Sequence, residues 1–358
     1  MSKLKIGIIG TGSISNEHIR GYLNNPDVEL YAFCDIDADK LNAMGKKYGV
    51  TRLYTDKDEM LKLSELDAVS VCTWNAAHAE CTIAALNAGK HVLCEKPTAM
   101  NTAEAQAMKD AAEKNGKILM IGFVRRHGND CALLKDFIEK GEFGELYYGK
   151  AKYLRRNGCP GGWFGNKEFS GGGPLIDLGV HVIDMVKYLA GNPKPVSVYG
   201  FTFDKLGNRP GLRENVSIGN YRGLHNKTVF NVEDFAGAII RFDNGFVLSV
   251  EASFSLNEKC DTSSIELFGT KSGARLDASN DPPLEIYTTT NGYLTNTTFF
   301  NRRLTESGDF FAMEMNNFVD AVLGRAECKA PAQDGVDIMK ILDAIYESAR
   351  TGHEVVID

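Results

Sequence analysis

The first 123 residues alternate short apolar runs with helix-like segments, and this alternation is the feature that most constrains the fold. The runs are rich in valine, isoleucine and leucine: Leu4–Ile9, Val28–Cys34, Ala68–Cys72, His91–Cys94 and Ile118–Gly122. Helix-like segments lie between them, at 13–24, 37–48, 76–88 and 102–115. Because buried parallel strands are apolar on both faces, repeated βα units of this kind predict a doubly wound parallel sheet.

The pattern changes after Phe123 and predicts a second domain, which gives domains at 1–123 and 124–358. In 246–254 apolar and polar residues alternate, as in a sheet with one covered face: Phe246, Leu248, Val250 and Phe254 against Ser249, Glu251 and Ser253. Helices are predicted near 129–140, 175–190, 308–323 and 334–350, and a polar surface loop at 205–228. The C-terminal helix is a candidate to pack back onto the first domain.

The composition excludes several classes of protein. With 40 basic and 47 acidic residues the net charge is −7, which disfavours nucleic acid or an anionic membrane as a partner. No apolar run approaches the roughly 20 residues of a membrane helix, and the N-terminus does not resemble a secretory signal. The eight cysteines contain no CxxC pair, so we expect no zinc knuckle but reduced thiols in the cytoplasm.

The first motif is a glycine turn between the first strand and the first helix. It predicts a dinucleotide site, in which Gly10 permits the tight turn and Gly12 lets a pyrophosphate approach the backbone. Asp35 ends the next strand, where a carboxylate binds the adenosine ribose. Its charge would repel a 2′-phosphate, so NAD is favoured over NADP. The residues predicted to bind the cofactor here are Gly10, Thr11, Gly12, Ser13, Ile14 and Asp35.

The second motif is Glu95-Lys96-Pro97, which follows the buried strand His91–Cys94. Open α/β sheets bind ligands at the carboxyl ends of their strands, so Lys96 is a candidate to polarise a substrate oxygen. A surface lysine is the simpler alternative. A neighbouring strand end is predicted to meet the nicotinamide side of the cofactor together with Glu95 and Lys96; it contributes Thr73, Trp74, Asn75 and His78.

The third motif follows the run Gly171-Gly172-Gly173-Pro174. Asp177 and His181 are four residues apart, so on a helix they share one face. A carboxylate beside an imidazole can orient the ring for general-base catalysis. A packed histidine is one alternative, and a metal site made by Asp177, His181 and Asp184 is another. We predict no metal, since this helical spacing alone supplies few ligands.

These motifs in this order resemble the Gfo/Idh/MocA family of oxidoreductases, through GIIGTGSIS, AFCDID, CTWNAAH, CEKP and GGGPLIDLGVHVID. The resemblance spans essentially the whole chain. It implies a Rossmann domain, then an α/β domain with a large, mainly antiparallel open sheet that forms the interface of a homodimer or homotetramer. It also implies that Lys96, Asp177 and His181 are catalytic. Trp74 departs from the family pattern, which usually has proline there.

The expected activity is hydride transfer between NAD and a secondary alcohol of a sugar, inositol or related polyol. His181 would accept the hydroxyl proton, Lys96 would hydrogen-bond the same oxygen, and Asp177 would orient His181 or bind a neighbouring hydroxyl. Arg126, Arg156 and Trp163 are predicted to contact the substrate, with the loop 157–165. Two alternatives remain at this level: an NAD-dependent glycoside hydrolase and a non-catalytic NAD-binding sensor.

Overall fold

The structure is a computed structural model, and it describes residues 3–207, 229–277, 280–305 and 307–357. The predicted loop 205–228 therefore lies largely outside the described residues. The chain divides into two compact units: Met1–His127 with Asp309–Met339, and Gly128–Gly308 with Lys340–Asp358. Each unit contains one β-sheet. The domain boundary at residue 123 stays a prediction.

Six parallel strands form the sheet of the first unit: β1 (Leu4–Ile9), β2 (Val28–Cys34), β3 (Leu53–Tyr54), β4 (Ala68–Val71), β5 (His91–Glu95) and β6 (Leu119–Gly122). They pair in the order β3-β2-β1-β4-β5-β6, which is the doubly wound order with its switch point between β1 and β4. Side chains of β4 and β6 are buried throughout, which accounts for their continuous apolar runs. The sequence predicted every strand except the two-residue β3.

The α-helices described are, in chain order, α1 (Ser15–Leu23), α2 (Ala38–Tyr48), α3 (Lys57–Leu61), α4 (His78–Asn87), α5 (Thr102–Asn115), α6 (Asn129–Glu139), α7 (Lys167–Ser170), α8 (Val180–Leu189), α9 (Arg302–Thr305), α10 (Phe310–Val322) and α11 (Ala332–Thr351). Local sequence explains several of their ends. The Asn101 side chain accepts the Glu104 amide at the start of α5, and Gly116 ends that helix with a φ of +60°. In the first unit α10 packs on α1, where a Cβ on Gly21 would stand 2.6 Å from Met315.

Nine strands of the described chain form the sheet of the second unit: β7 (Leu146–Leu154), β8 (Pro195–Phe203), β9 (Phe235–Phe242), β10 (Val247–Ser253), β11 (Thr262–Gly269), β12 (Ser272–Asp277), β13 (Leu284–Thr290), β14 (Tyr293–Thr297) and β15 (Val355–Val356). The order is β14-β13-β12-β11-β7-β10-β9-β8-β15. All neighbours are antiparallel except β7 and β10. The large, mainly antiparallel sheet expected from the family resemblance is therefore confirmed.

One face of this second sheet is covered, and the alternation seen in the sequence identifies it. Phe246, Leu248, Val250 and Phe254 are buried, as predicted from their period of two. Helix α8 lies on this face, so a Cβ on Gly149 of β7 would come within 3.2 Å of Val186. On β8 the alternate side chains are exposed, among them Tyr199 and Phe201. As far as the described residues go, the sheet thus has one covered and one open face.

All eight cysteines are free, and five of them are buried: Cys34, Cys72, Cys81, Cys94 and Cys131. Among the described residues, none of the helices combines the length and apolar character that a membrane crossing requires.

Candidate active site

The turn between β1 and α1 leaves open space beside a helix start. Gly10 has a φ of +91°, and a Cβ there would stand 2.7 Å from the Cys72 carbonyl oxygen, so only glycine fits. A Cβ on Gly12, in contrast, would meet nothing within 4 Å. Ile14, which precedes α1, provides no side-chain cap to the helix amides. These features fit a pyrophosphate, which would lie against Gly12 and accept hydrogen bonds at the start of α1.

Asp35 follows β2 and is fixed against the glycine turn. Both the backbone N–H and the hydroxyl of Thr11 donate to Asp35 Oδ2, at 2.6 and 2.8 Å, and the Asp37 N–H donates to Oδ1 at 2.9 Å. The half-buried carboxylate keeps further acceptor capacity for ribose hydroxyls. Ser15, three residues after Gly12, donates its hydroxyl to the Gly12 carbonyl oxygen at 2.7 Å. This bond gives the serine a function that glycine or alanine could not perform.

His78 ties two neighbouring strand ends of the first unit together. Its Nδ1 lies 2.7 Å from the Pro97 carbonyl oxygen, and its Nε2 lies 3.2 Å from that of Thr73. Burial lowers the pKa of His78, which favours the neutral ring with Nδ1–H donating to Pro97. His78, as the first residue of α4, therefore links the start of that helix to the turn that holds Lys96. Trp74 and Asn75 lie between Thr73 and α4, and Asn75 is buried.

Glu95 is a buried anchor for the turn that carries Lys96. Its Oε1 lies 2.8 Å from His18 Nε2 on α1, and its Oε2 accepts the Lys96 N–H at 3.1 Å. Burial by itself would raise the pKa of Glu95, but the hydrogen bond and charge of His18, together with the charge of Lys96, hold the pKa below its usual value. Glu95 is thus an anion whose bonds link α1 to the backbone of Lys96, which is itself partly exposed.

The turn that carries Asp177 in the second unit differs from an ordinary α-helix. A helix begins here as predicted, but its first segment, Leu175–Gly179, is a π-helical turn that leads into α8. Wide turns of this type are rare and occur often at functional sites. Asp177 is 8% exposed, and its N–H donates to the Gly173 carbonyl. His181 lies in the first turn of α8 and is partly exposed.

The predicted substrate loop 157–165 lies close to Asp177 within this unit. Burial, together with the negative charge of Asp177, raises the pKa of the Cys159 thiol to about 11. Trp163 is half-buried, and its ring stacks on Phe164 with centroids 4.0 Å apart. Arg156 is exposed, and its backbone N–H donates to Asp261. The second unit therefore brings the loop and the carboxylate together.

Comparison with known proteins identifies the family. The description "Oxidoreductase family, NAD-binding Rossmann fold" matches residues 4–123, and "Oxidoreductase family, C-terminal alpha/beta domain" matches residues 135–357. The chain belongs to the Gfo/Idh/MocA oxidoreductase family. Family membership confirms the predicted fold and the predicted class of enzyme, an oxidoreductase that uses NAD.

Several relatives of this Gfo/Idh/MocA chain are similar to it over half of its length or more. D-glucoside 3-dehydrogenase of Escherichia coli (strain K12) is 37% identical over 99% of this chain and 97% of its own. Inositol 2-dehydrogenase of Salmonella typhimurium is 34% identical over 55% of this chain and 57% of its own. Among solved structures, an oxidoreductase domain protein from Kribbella flavida is 26% identical with a TM-score of 0.86, over 100% of both chains. Levoglucosan dehydrogenase in complex with NADH, 24% identical with a TM-score of 0.87 over 100% of both chains, has the same fold.

The Arg126 side chain makes contacts within the first unit. The side chain is almost fully buried, and its guanidinium donates to Asp334 Oδ2 at 2.6 Å and to the Lys329 carbonyl at 2.8 Å. It also lies 5.2 Å from the centre of the Phe123 ring. These contacts hold the 329–334 segment within the first unit, and substrate binding by Arg126 stays a prediction.

One group of buried side chains in the described part of the chain has the spacing of a metal site: His18, Glu95 and Glu314, with ligand atoms within 4.8 Å of one another. The alternative set of Asp177, His181 and Asp184 is not such a group among the described residues. The hydrogen bond between His18 and Glu95 already engages two of the three donors, and it gives them a role without a metal.

The sequence analysis missed four residues that support the predicted site residues within each unit. His18 and Glu314 lie beside Glu95 in the first unit, and Glu233 and Tyr346 lie beside the Asp177 turn in the second. A histidine on the buried face of the helix after a glycine turn was a usable signal for His18. Glu233 and Tyr346 are 113 positions apart, and no local pattern connects them.

Proposed function

We propose that this chain oxidises a secondary alcohol of a glucoside, or of a closely related sugar, with NAD as the acceptor. The similarity to D-glucoside 3-dehydrogenase carries the proposal, because it extends over 99% of the chain at 37% identity. Levoglucosan dehydrogenase also aligns over 98% of the chain, at 27% identity. The inositol dehydrogenases align over about half of it. The full-length relatives therefore favour a glucose-derived ring over an inositol.

The proposed chemistry assigns a role to each of the three predicted catalytic residues. His181 accepts the proton of the reacting hydroxyl, and Lys96 donates a hydrogen bond to the same oxygen and stabilises its negative charge. Asp177 orients the imidazole or binds a neighbouring hydroxyl. Bound NAD supplies the hydride acceptor. Burial of Asp177 and the anchoring of the Lys96 backbone by Glu95 support these roles, since catalytic groups act best when they are held in place.

The residues of the first unit fit NAD at the level of individual contacts. Gly12 offers open space, the Ile14 side chain does not cap α1, and Asp35 is fixed beside the turn with acceptor capacity left. We propose that Ser13 and Ile14 contribute backbone amides to the phosphates, and that Thr11 belongs to the cofactor site by holding Asp35 beside the glycine turn. Thr73, Trp74, Asn75 and His78 would line the nicotinamide side, since they follow β4, which neighbours β1 and β5 in the sheet. Arg156 and Trp163 would shape the sugar pocket.

A substrate screen tests the proposal. We expect NADH to form from methyl glucosides faster than from glucose, levoglucosan or myo-inositol, and faster than NADPH forms when NADP replaces NAD. Lys96→Ala and His181→Ala should each lower kcat by about 10²- to 10⁴-fold while NADH still binds. The exposed residues Lys194 and His353 provide matched controls, as Lys194→Ala and His353→Ala. Preferred oxidation of myo-inositol would refute the proposed substrate. Normal turnover by His181→Ala would refute the proposed role of His181.

We also propose that the open face of the second sheet is the interface of a homodimer or homotetramer. Side chains on β8 and β9 are 40–50% exposed there: Tyr199, Phe201, Phe203 and Ile239. Phe201, Phe203 and Phe235 stack on one another, with ring centroids 5.9–6.3 Å apart. An apolar aromatic patch of this kind is typical of a protein interface.

Light scattering of the purified protein tests this interface. Phe201→Glu should reduce the mass to that of a monomer, whereas Leu23→Glu, a change at an exposed residue of α1 in the first unit, should not. A monomeric wild-type protein would contradict the proposal. We further propose a cytoplasmic location, in keeping with the free state of all eight cysteines, which cell fractionation can test.

A further inference from the structure

The glycines ahead of the Asp177 turn are packed directly against Glu233 and Tyr346. A Cβ on Gly172 would stand 2.0 Å from the Tyr346 hydroxyl oxygen. A Cβ on Gly173 would stand 2.1 Å from the Glu233 carbonyl oxygen and 3.1 Å from its carboxyl carbon. Glycine is therefore required at both positions, since neither approach leaves room for a side chain. Gly172 and Gly173 therefore pack directly against Tyr346 and Glu233.

The Glu233 carboxylate receives three hydrogen bonds in this arrangement. The Gly173 N–H donates to Oε2 at 2.9 Å, the Leu175 N–H donates to Oε1 at 3.2 Å, and the Tyr346 hydroxyl donates to Oε1 at 2.8 Å. Burial raises the pKa of Glu233, and these bonds oppose that rise because they favour the ionised form. A buried carboxylate with three donors is a fixed part of the structure rather than a solvated charge.

This carboxylate performs the task of a helix cap, although it lies far away in sequence. Pro174 precedes the turn and offers no side-chain cap of its own. The first amides of a helix need acceptors, and a negative charge at this end is favoured by the helix dipole. Glu233 supplies both to the turn Leu175–Gly179, and Tyr346 holds Glu233 in position. Asp177 lies within this turn, and His181 follows in the first turn of α8.

We propose that Glu233 and Tyr346 are positioning residues for catalysis: they fix the turn so that Asp177 and His181 meet the substrate in one geometry. The proposal rests on the proposed roles of Asp177 and His181. It assigns no contact with the substrate to Glu233 or Tyr346. Because misplacement of a catalytic group by about 1 Å can cost about 100-fold in rate, a looser turn should lower kcat without weakening NAD binding.

Two variants test the proposal. Tyr346→Phe keeps the ring and removes one donor, and Glu233→Gln keeps the shape but replaces one acceptor oxygen with an amide donor. We expect kcat per NADH-binding site to fall about 10- to 100-fold, with the Kd for NADH within about twofold of wild type. Glu347→Gln provides a matched control, since Glu347 lies on α11 and pairs with Arg350 at the surface. Tyr287→Phe provides the second control.

The kinetic isotope effect separates positioning from a structural role. With substrate deuterated at the oxidised carbon, the isotope effect on kcat should rise in Tyr346→Phe, because hydride transfer becomes slower than product release. A merely structural role would lower the number of NADH-binding sites and leave kcat per site and the isotope effect at their wild-type values. That result in Tyr346→Phe would overturn the proposal even if Glu233→Gln does not fold. If His181→Ala also turns over normally, the proposed function fails first; if only the Tyr346 variant is normal, positioning alone is refuted.

Discussion

Gly12→Ala should weaken cofactor binding without lowering the stability of the fold, because the added methyl contacts nothing in the protein. No other part of the described chain lies within 4 Å of the Cβ position, and Gly12 is not among the residues with positive φ. The free energy of unfolding should therefore stay unchanged or rise by up to about 1 kcal/mol, since alanine restricts the unfolded chain. The methyl would instead occupy the space that we assign to the pyrophosphate. An overpacking cost of about 1–3 kcal/mol corresponds to a Kd for NADH weaker by about 5- to 150-fold.

Substitutions at two other glycines provide comparisons for the Gly12→Ala prediction. Gly10→Ala combines a φ of +91° with a contact of 2.7 Å to the Cys72 carbonyl, so it should lose stability as well as binding. Gly49→Ala has a φ of +73° at the end of α2 but open space around it, so it should cost about 1 kcal/mol of strain and leave NADH binding intact. Urea unfolding and NADH fluorescence titration measure the two quantities. If Gly12→Ala binds NADH as tightly as wild type, the open space is not the phosphate site.

Three further predictions concern buried groups outside the cofactor site. Asp334→Ala should lower the free energy of unfolding by about 3–5 kcal/mol, because it leaves the buried Arg126 guanidinium without its carboxylate; a loss below about 1 kcal/mol in urea unfolding would contradict this. Burial lowers the pKa of His127 to about 3, so the unfolded state takes up a proton that the native state does not, and stability should fall as the pH drops from about 6.5 towards 3; His127→Gln should flatten this slope. Because burial raises the pKa of Cys159 to about 11, its thiol should react with iodoacetamide more slowly at pH 8 than the exposed Cys260, and peptide mapping that shows the reverse order would contradict the buried environment.

The strands of the first unit could be predicted because their signals are local. β1, β2 and β5 are short, apolar and followed by turn or helix signals, so their existence and order in the chain follow from the pattern alone. β3 has two residues, which is too short for any periodicity to appear. The glycine turn and Asp35 were also predictable, since each follows directly from the end of a strand.

The supporting contacts of the candidate site could not be predicted, because they join distant segments. Glu233 and Gly173 are 60 positions apart, and His18 and Glu95 are 77 positions apart. The π-helical turn at Leu175–Gly179 could not be predicted either, because an Asp-x3-His spacing indicates one face of an ordinary α-helix. Arg126 illustrates a third limit: an arginine near a predicted site gives no sign in the sequence that a partner such as Asp334 is already in place.

The contact between Asp35 and Thr11 has a consequence for protein engineering. Replacement of Asp35 by a small or basic residue is the obvious route to an enzyme that uses NADP, but the same carboxylate also holds the amide and hydroxyl of Thr11. A variant without the Asp35 carboxylate would lose the hydrogen bonds that hold Thr11 in the glycine turn, while it gained room for the 2′-phosphate of NADP. A change of cofactor in this protein is therefore a problem of at least two positions, and a library that varies residues 11 and 35 together should succeed where single substitutions fail.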